Sequence, residues 1–152
     1  MDIEAAKEEL QKAKDDTKLE GLMLVPFPLG EVFEMGAKQM ALIVPSAESI
    51  MAAGAPDGMD PVGQQVPLFG CMDLVENRED GSLNVPLFMS MGEAQEAMDM
   101  AMEGVGEEDK QKFRVTIIPL AGAVQMQASS GGEKSFTYVP SRSSVDYLRS
   151  MQ

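Results

Sequence analysis

From Asp2 to Thr17 apolar side chains recur at Ile3, Ala6, Leu10 and Ala13 among Asp, Glu and Lys. That i, i+3, i+4 spacing predicts a helix with a narrow apolar stripe. Glu4–Lys7, Glu8–Lys12 and Glu9–Lys12 stand at helical pairing distance and add roughly a few tenths of a kcal/mol each. So thin a stripe fits a terminal helix docked lightly on the body, or a projecting helix that reaches a partner. Gly21 to Phe33 is apolar but carries Pro26 and Pro28. Two prolines two apart remove donors on one side, so the stretch predicts an edge strand or an extended segment. Met40 to Val44 is a β-type run closed by Pro45, and Ser46 then holds an N-cap position ahead of Glu48 and Ile50. Gly54 to Gly63, made of Gly, Pro, Asp and Ala with few large side chains, is the candidate linker.

After the linker the pattern sharpens. Gln65 to Phe69 predicts a strand, Asp80-Gly81 a tight turn, and Leu83 to Met89 a second strand. Ser90 and Glu93 form a capping box for a helix whose apolar face is Ala94, Ala97, Met98, Ala101 and Met102, ended by Gly104 and Gly106. Phe113 to Ile118 alternates as a half-buried strand until Pro119 interrupts it. Leu120 to Met126 fits a short helix or a continuing strand. Ser129 to Gly132 predicts a turn, Ser135 to Val139 a strand, and Val145, Leu148 and Met151 a last helix behind Ser141 and Ser143. Together these predict an α+β fold, an antiparallel-rich sheet with helices packed on one face. Val25-Pro26 and Val44-Pro45 lie at the same interval as Val66-Pro67 and Val85-Pro86, an echo compatible with a degenerate internal repeat. The implied organisation is an N-terminal helix at 1–20, an extended or strand arm and linker at 21–64, and an α+β module at 65–152.

Composition narrows the chemistry. The 152-residue chain is 44% hydrophobic, which is enough for a core, and carries 25 acidic against 12 basic residues, a net −13. No basic stripe exists to hold nucleic acid, and an anionic membrane surface would repel most of the molecule. No apolar run approaches the roughly 20 residues of a membrane span. With no His, the commonest general base and metal ligand are both missing. Cys71, the single cysteine, has neither a disulfide partner nor a His to activate it, and its neighbours Phe69 and Leu74 suit a packed thiol. Gly104-Val105-Gly106 follows a helix instead of opening one, so it is no phosphate loop. The carboxylate runs Glu107-Glu108-Asp109 and Glu76–Asp80 sit in polar loops and read as solvated. Asp57, Asp60 and Glu76 lack calcium-loop spacing. The expectation is a protein that is not an enzyme and needs no cofactor or metal. Fourteen methionines, of which Met91, Met98, Met100 and Met102 cannot share one helix face, suit adaptable protein contact.

Val66-Pro67-Leu68-Phe69, then Val85-Pro86-Leu87-Phe88-Met89-Ser90-Met91-Gly92-Glu93-Ala94, resembles the twenty-two-kilodalton family of the chloroplast inner-envelope protein translocon. Val115 to Met126 is similar to that family's strand running into a Leu-x-x-Val/Ala-x-x segment. Phe136-Thr137-Tyr138-Val139-Pro140 with Val145 and Leu148 is similar to its closing strand and helix. The resemblance covers 65–152, roughly one half of the family's usual two-half architecture. It implies a non-enzymatic, chaperone-like factor in plastid protein import, in a mature form without its targeting peptide. The family's contact surface, apolar pockets between sheet and helices, maps onto Val66, Leu68, Val85, Leu87, Leu120 and Val124. Implied partners are basic, transit-type segments of other proteins. The alternative is an accessory subunit docked on a larger membrane complex, for example a photosynthetic one.

Overall fold

The computed structural model describes residues 3–77, 81–130 and 134–151. Helix α1 spans Ile3–Thr17, where the apolar stripe places it. Its stripe is only half-buried and none of its residues is fully buried. Lys7 pairs with Glu4 at 2.8 Å and Lys12 with Glu9 at 2.6 Å along its exposed side.

Residues 21–64 hold two helices, α2 (Leu29–Ala37) and α3 (Ala47–Ala52), and no strand among the described residues. Phe33 is therefore helical, not part of an edge strand. Pro28, with φ −57° and ψ 135°, stands just ahead of α2, where a fixed φ and a missing donor cost nothing. Leu29, Val32 and Phe33 then fall at i, i+3 and i+4, and Leu29 and Phe33 pack onto the main core. Met40 to Val44 likewise forms no strand. Ile43 instead lies over Gly36 of α2, so closely that a Cβ there would stand 3.4 Å from its Cδ1. That contact outweighs a β preference which depends on finding a ladder partner. Ser46 caps α3 as expected, its Oγ accepting the Ser49 N–H at 3.2 Å.

Among the described residues the five strands all lie in the second half: β1 (Pro67–Gly70), β2 (Glu76–Asn77), β3 (Leu83–Phe88), β4 (Thr116–Pro119) and β5 (Lys134–Val139). Thus Val66-Pro67 and Val85-Pro86 border or enter strands, whereas Val25-Pro26 and Val44-Pro45 do not. β3 is central. One edge pairs with β5 in parallel from Leu83↔Lys134 to Phe88↔Val139. Its other edge meets β1 at Phe69↔Phe88 and β2 at Glu76↔Asn84, both antiparallel. Residues 70–75 oppose only 85–87 between those pairs, so the chain loops out there, closed by the Leu74 N–H to the Cys71 carbonyl at 3.0 Å. Cys71 is buried in this loop. β4 flanks β1 antiparallel, with Leu68 opposite Ile118. The α+β, antiparallel-rich architecture expected from the sequence is the one the chain adopts.

Leu68, Val85, Leu87, Ile118 and Phe136 build the core with Leu120 and Ala123 of helix α6 (Leu120–Ser129). The Leu120–Met126 ambiguity thus resolves as helix, and its first N–H bonds the Val66 carbonyl at 2.9 Å. Phe69 is fully buried as well, and helix α4 (Met91–Ala101) rests on β1 and β3 with Ala94 and Met98 buried. Met100 on the same helix is 61% exposed, so the methionines do divide between faces. Phe113 precedes β4 rather than opening it. Its N–H bonds the Lys110 carbonyl, extending the short turn of α5 (Glu107–Lys110). Asn84 is buried in mid-sheet with both ends of its amide paired. Its Nδ2 donates to Glu76 Oε2 at 3.1 Å and its Oδ1 accepts from Thr137 Oγ1 at 2.9 Å, tying β2, β3 and β5 together. The Asp80 half of the Asp80-Gly81 turn, and Gly131 and Gly132 of the Ser129–Gly132 turn, lie outside the described residues. Gly81 itself has φ +78°.

Candidate functional site

Helix α7 (Arg142–Ser150) is tied to α4 through its first residue. Ser90 Oγ accepts the Glu93 N–H at 3.4 Å, which is the capping half of the box. The Glu93 carboxylate turns toward α7, where Oε1 accepts the Arg142 N–H at 2.8 Å. The Arg142 guanidinium meets Glu96 Oε2 at 2.6 Å. Ser141, buried at the start of α7, links its hydroxyl to those of Ser143 and Ser144 at 3.1 and 2.9 Å.

Between this tied corner, the arm and the end of the sheet lies a cleft of about 700 Å³. Val66, Pro67, Met89, Leu120 and Tyr138 give it a sheet-side floor. The arm contributes Leu24, Pro26, Leu29 and Val32, and the segment into α3 contributes Ile43, Pro45, Ser49 and Ala52. Met91, Tyr147 and Leu148 come from α4 and α7, and α1 reaches in with Ile3 and Ala6. Several walls remain open to solvent: Val25 and Phe27 are each 55% exposed and Leu148 41%. Glu48 and Glu93 are the carboxylates that line it, and no Lys or Arg among the described residues does so. Tyr138 hydrogen-bonds Gln127 Oε1 at 3.3 Å, and burial pushes its phenol above the ordinary 10.0. Such a site offers apolar surface, hydroxyls and two carboxylates, and among the described residues that line it there is no His, Lys or Cys.

The six positions mapped from the resemblance gather around one cluster but do not share one exposure. Leu68, Val85 and Leu87 are sealed inside the core. Val124 is half-buried against it. Val66 and Leu120 reach the cleft floor, joined by the backbone bond between them. Most of the cleft comes from residues the sequence assigned to the arm, the first helix and the last. Prolines at 26, 45, 67 and 140 all line the cavity, and those at 26 and 45 are the local sign of the arm's part in it.

The carboxylate runs gather no site. Asp109 bonds Lys112 at 2.7 Å, and that bond holds its carboxyl below the usual range. Glu76 serves Asn84, while Asp80 and the side chains of Glu107 and Glu108 lie outside the described set. Among the described residues no three His, Cys, Asp or Glu side chains converge as a metal site, and no helix is long and apolar enough to cross a membrane.

The molecule is thus an α+β sheet protein with an open, apolar, serine-rimmed cleft at one end of the sheet. No protein-family model matches the sequence, and no curated protein does. Among solved structures, Tic22 from Plasmodium falciparum has this fold, with TM-score 0.61 and 19% identity over 96% of this chain and 77% of that one. Anabaena Tic22, described as a protein of protein transport, aligns with TM-score 0.43 and 18% identity over 97% of this chain and 60% of its own. The Plasmodium protein carries the name of the family that residues 65–152 resemble. The shared fold is wider than that segment and takes in the arm and α1.

Proposed function

We propose that this chain is a non-enzymatic binding protein, a chaperone-like factor in plastid protein import, that holds apolar segments of other proteins in the cleft. The observation that carries the reading is the cleft itself: about 700 Å³, walled by Val, Leu, Ile, Met and Pro, with two carboxylates and no opposing cation among the described residues. Concave apolar sites with few polar groups are the usual form of binding pockets. A fold shared with Plasmodium Tic22 supports the same direction. The acidic surface, net −13, favours encounter with basic segments over acidic ones.

The test is fluorescence anisotropy with labelled peptides that combine apolar and basic residues, at low salt. Binding is expected for the parent chain and is expected to be lost in Leu148→Asp, which places a charge on a cleft wall that is already partly exposed. Absence of binding by the parent, or turnover of a common substrate class, would overturn the proposal. Salt-resistant co-purification with a membrane complex, with no peptide binding, would replace it by the accessory-subunit reading.

A further inference from the structure

The cleft is partly walled by this chain's own α1. Ile3 and Ala6 line it, so one end of the helix's apolar stripe is its contact with the cavity. The helix packs against α7, where Lys7 Nζ lies 5.5 Å from the centroid of the Tyr147 ring, itself a cleft wall. Yet α1 is held loosely. None of its 15 residues is buried, and its ion pairs are exposed ones within the helix. A helix of this length is marginal in water without packing, so α1 depends on this seat. The chain leaves α1 through two residues in left-handed conformation, Lys18 at φ 54° and Gly21 at φ 95°, and then residues 22–28, which form no helix or strand. The main element contact of α1 is with α7 and not with a strand of the sheet.

We propose that α1 is an internal surrogate for the cleft's partner. The partner is an amphipathic helix with small apolar residues at i, i+3 spacing and a basic residue beside them, and it displaces α1 to bind. The chemistry of the occupant is read from α1 itself, with Ile3 and Ala6 facing in and Lys7 flanking them, and from the carboxylates of Glu48 and Glu93 on the rim. Apolar contact supplies the seat, and the two carboxylates select a cation over an anion at its edge. This inference rests on the cleft being a peptide site, as proposed above.

The full chain is titrated with a labelled synthetic helix of Leu, Ala and Lys, and with its analogue carrying Glu for Lys. Ile3→Glu, which expels the stripe from the cavity, is expected to tighten binding of the Lys peptide about tenfold, because α1 no longer competes. Glu48→Gln is expected to weaken the Lys peptide about threefold and to leave a Gln-substituted analogue unchanged. In the parent chain, hydrogen exchange of the α1 amides is expected to accelerate when the Lys peptide is added. Equal affinity of parent and Ile3→Glu, with α1 exchange unchanged, would overturn the inference while leaving the peptide-binding reading intact. Failure of both proteins to bind either peptide would overturn both.

Discussion

Gly70 shows how closely β1 lies on β3. A Cβ built there would stand 2.7 Å from Leu87 Cδ2 and 3.0 Å from the Pro86 carbonyl oxygen. The leucine end can yield, but the backbone oxygen cannot move without disturbing the β3–β5 ladder. Gly70→Ala is therefore expected to cost about 1–3 kcal/mol, read as a lower urea midpoint with an unchanged slope. Tyr138 carries a second consequence at this scale. Burial raises its folded pKa, so the folded chain keeps the neutral phenol while the unfolded chain ionises at 10.0. The unfolded state thus releases its proton first as pH rises. Stability from this residue is complete below pH 10.0 and is lost as pH climbs through the raised folded value. In Tyr147→Phe, which leaves Tyr138 as the one tyrosine, phenolate absorbance is expected to titrate above 10.0 and to fall back to it on denaturation. A folded midpoint at or below that value would contradict the assigned burial.

Among the elements, α4 and α7 set the geometry of the cleft's tied corner. The Ser90 cap satisfies a helix N–H in a partly buried place, whereas the Arg142–Glu96 pair is 67% and 57% exposed. Ser90→Ala is thus expected to cost about 1 kcal/mol, and Arg142→Ala less, because exposed ion pairs contribute about 0–1 kcal/mol. Chemical denaturation of the two variants ranks them, and the reverse order would show that the tie outweighs the cap. The Ser90 cap was legible because it is local: a hydroxyl, three residues and a Glu. The strands β1, β3 and β5 were legible for the same reason, as short β-branched and aromatic runs bounded by turn residues. α2 was not. Its Leu, Val and Phe read as β-type, and only Leu29 and Phe33 meeting the core across the chain turn that run into a helix. Met40 to Val44 failed similarly, since the docking of Ile43 over Gly36 is a tertiary fact with no local sign. The cleft combines both kinds of difficulty. Its floor at Val66 and Leu120 came from recognisable segments, while its walls come from elements that only the folded chain brings together.

For the whole molecule, charge and shape act at different ranges. The net −13 is spread over the chain, but among the described acidic residues only Glu48 and Glu93 line the cleft. Contact within the cleft is apolar and short-ranged, and salt affects it little. Approach of a basic partner is governed by the field of the whole surface, which is screened beyond roughly 10 Å at 0.1 M salt. The two contributions should therefore separate when ionic strength is varied. For a peptide bearing Lys, affinity is expected to fall as NaCl rises from about 0.05 to 0.5 M, with most of the change in the association rate. A peptide of the same apolar residues with Gln for Lys is expected to bind with nearly constant affinity across that range. Stopped-flow fluorescence resolves the two rates. If both peptides weaken together, the acidic surface is general solvation and the cleft selects by shape alone. If only the basic one weakens, the charge that sets this chain's composition also selects its partner.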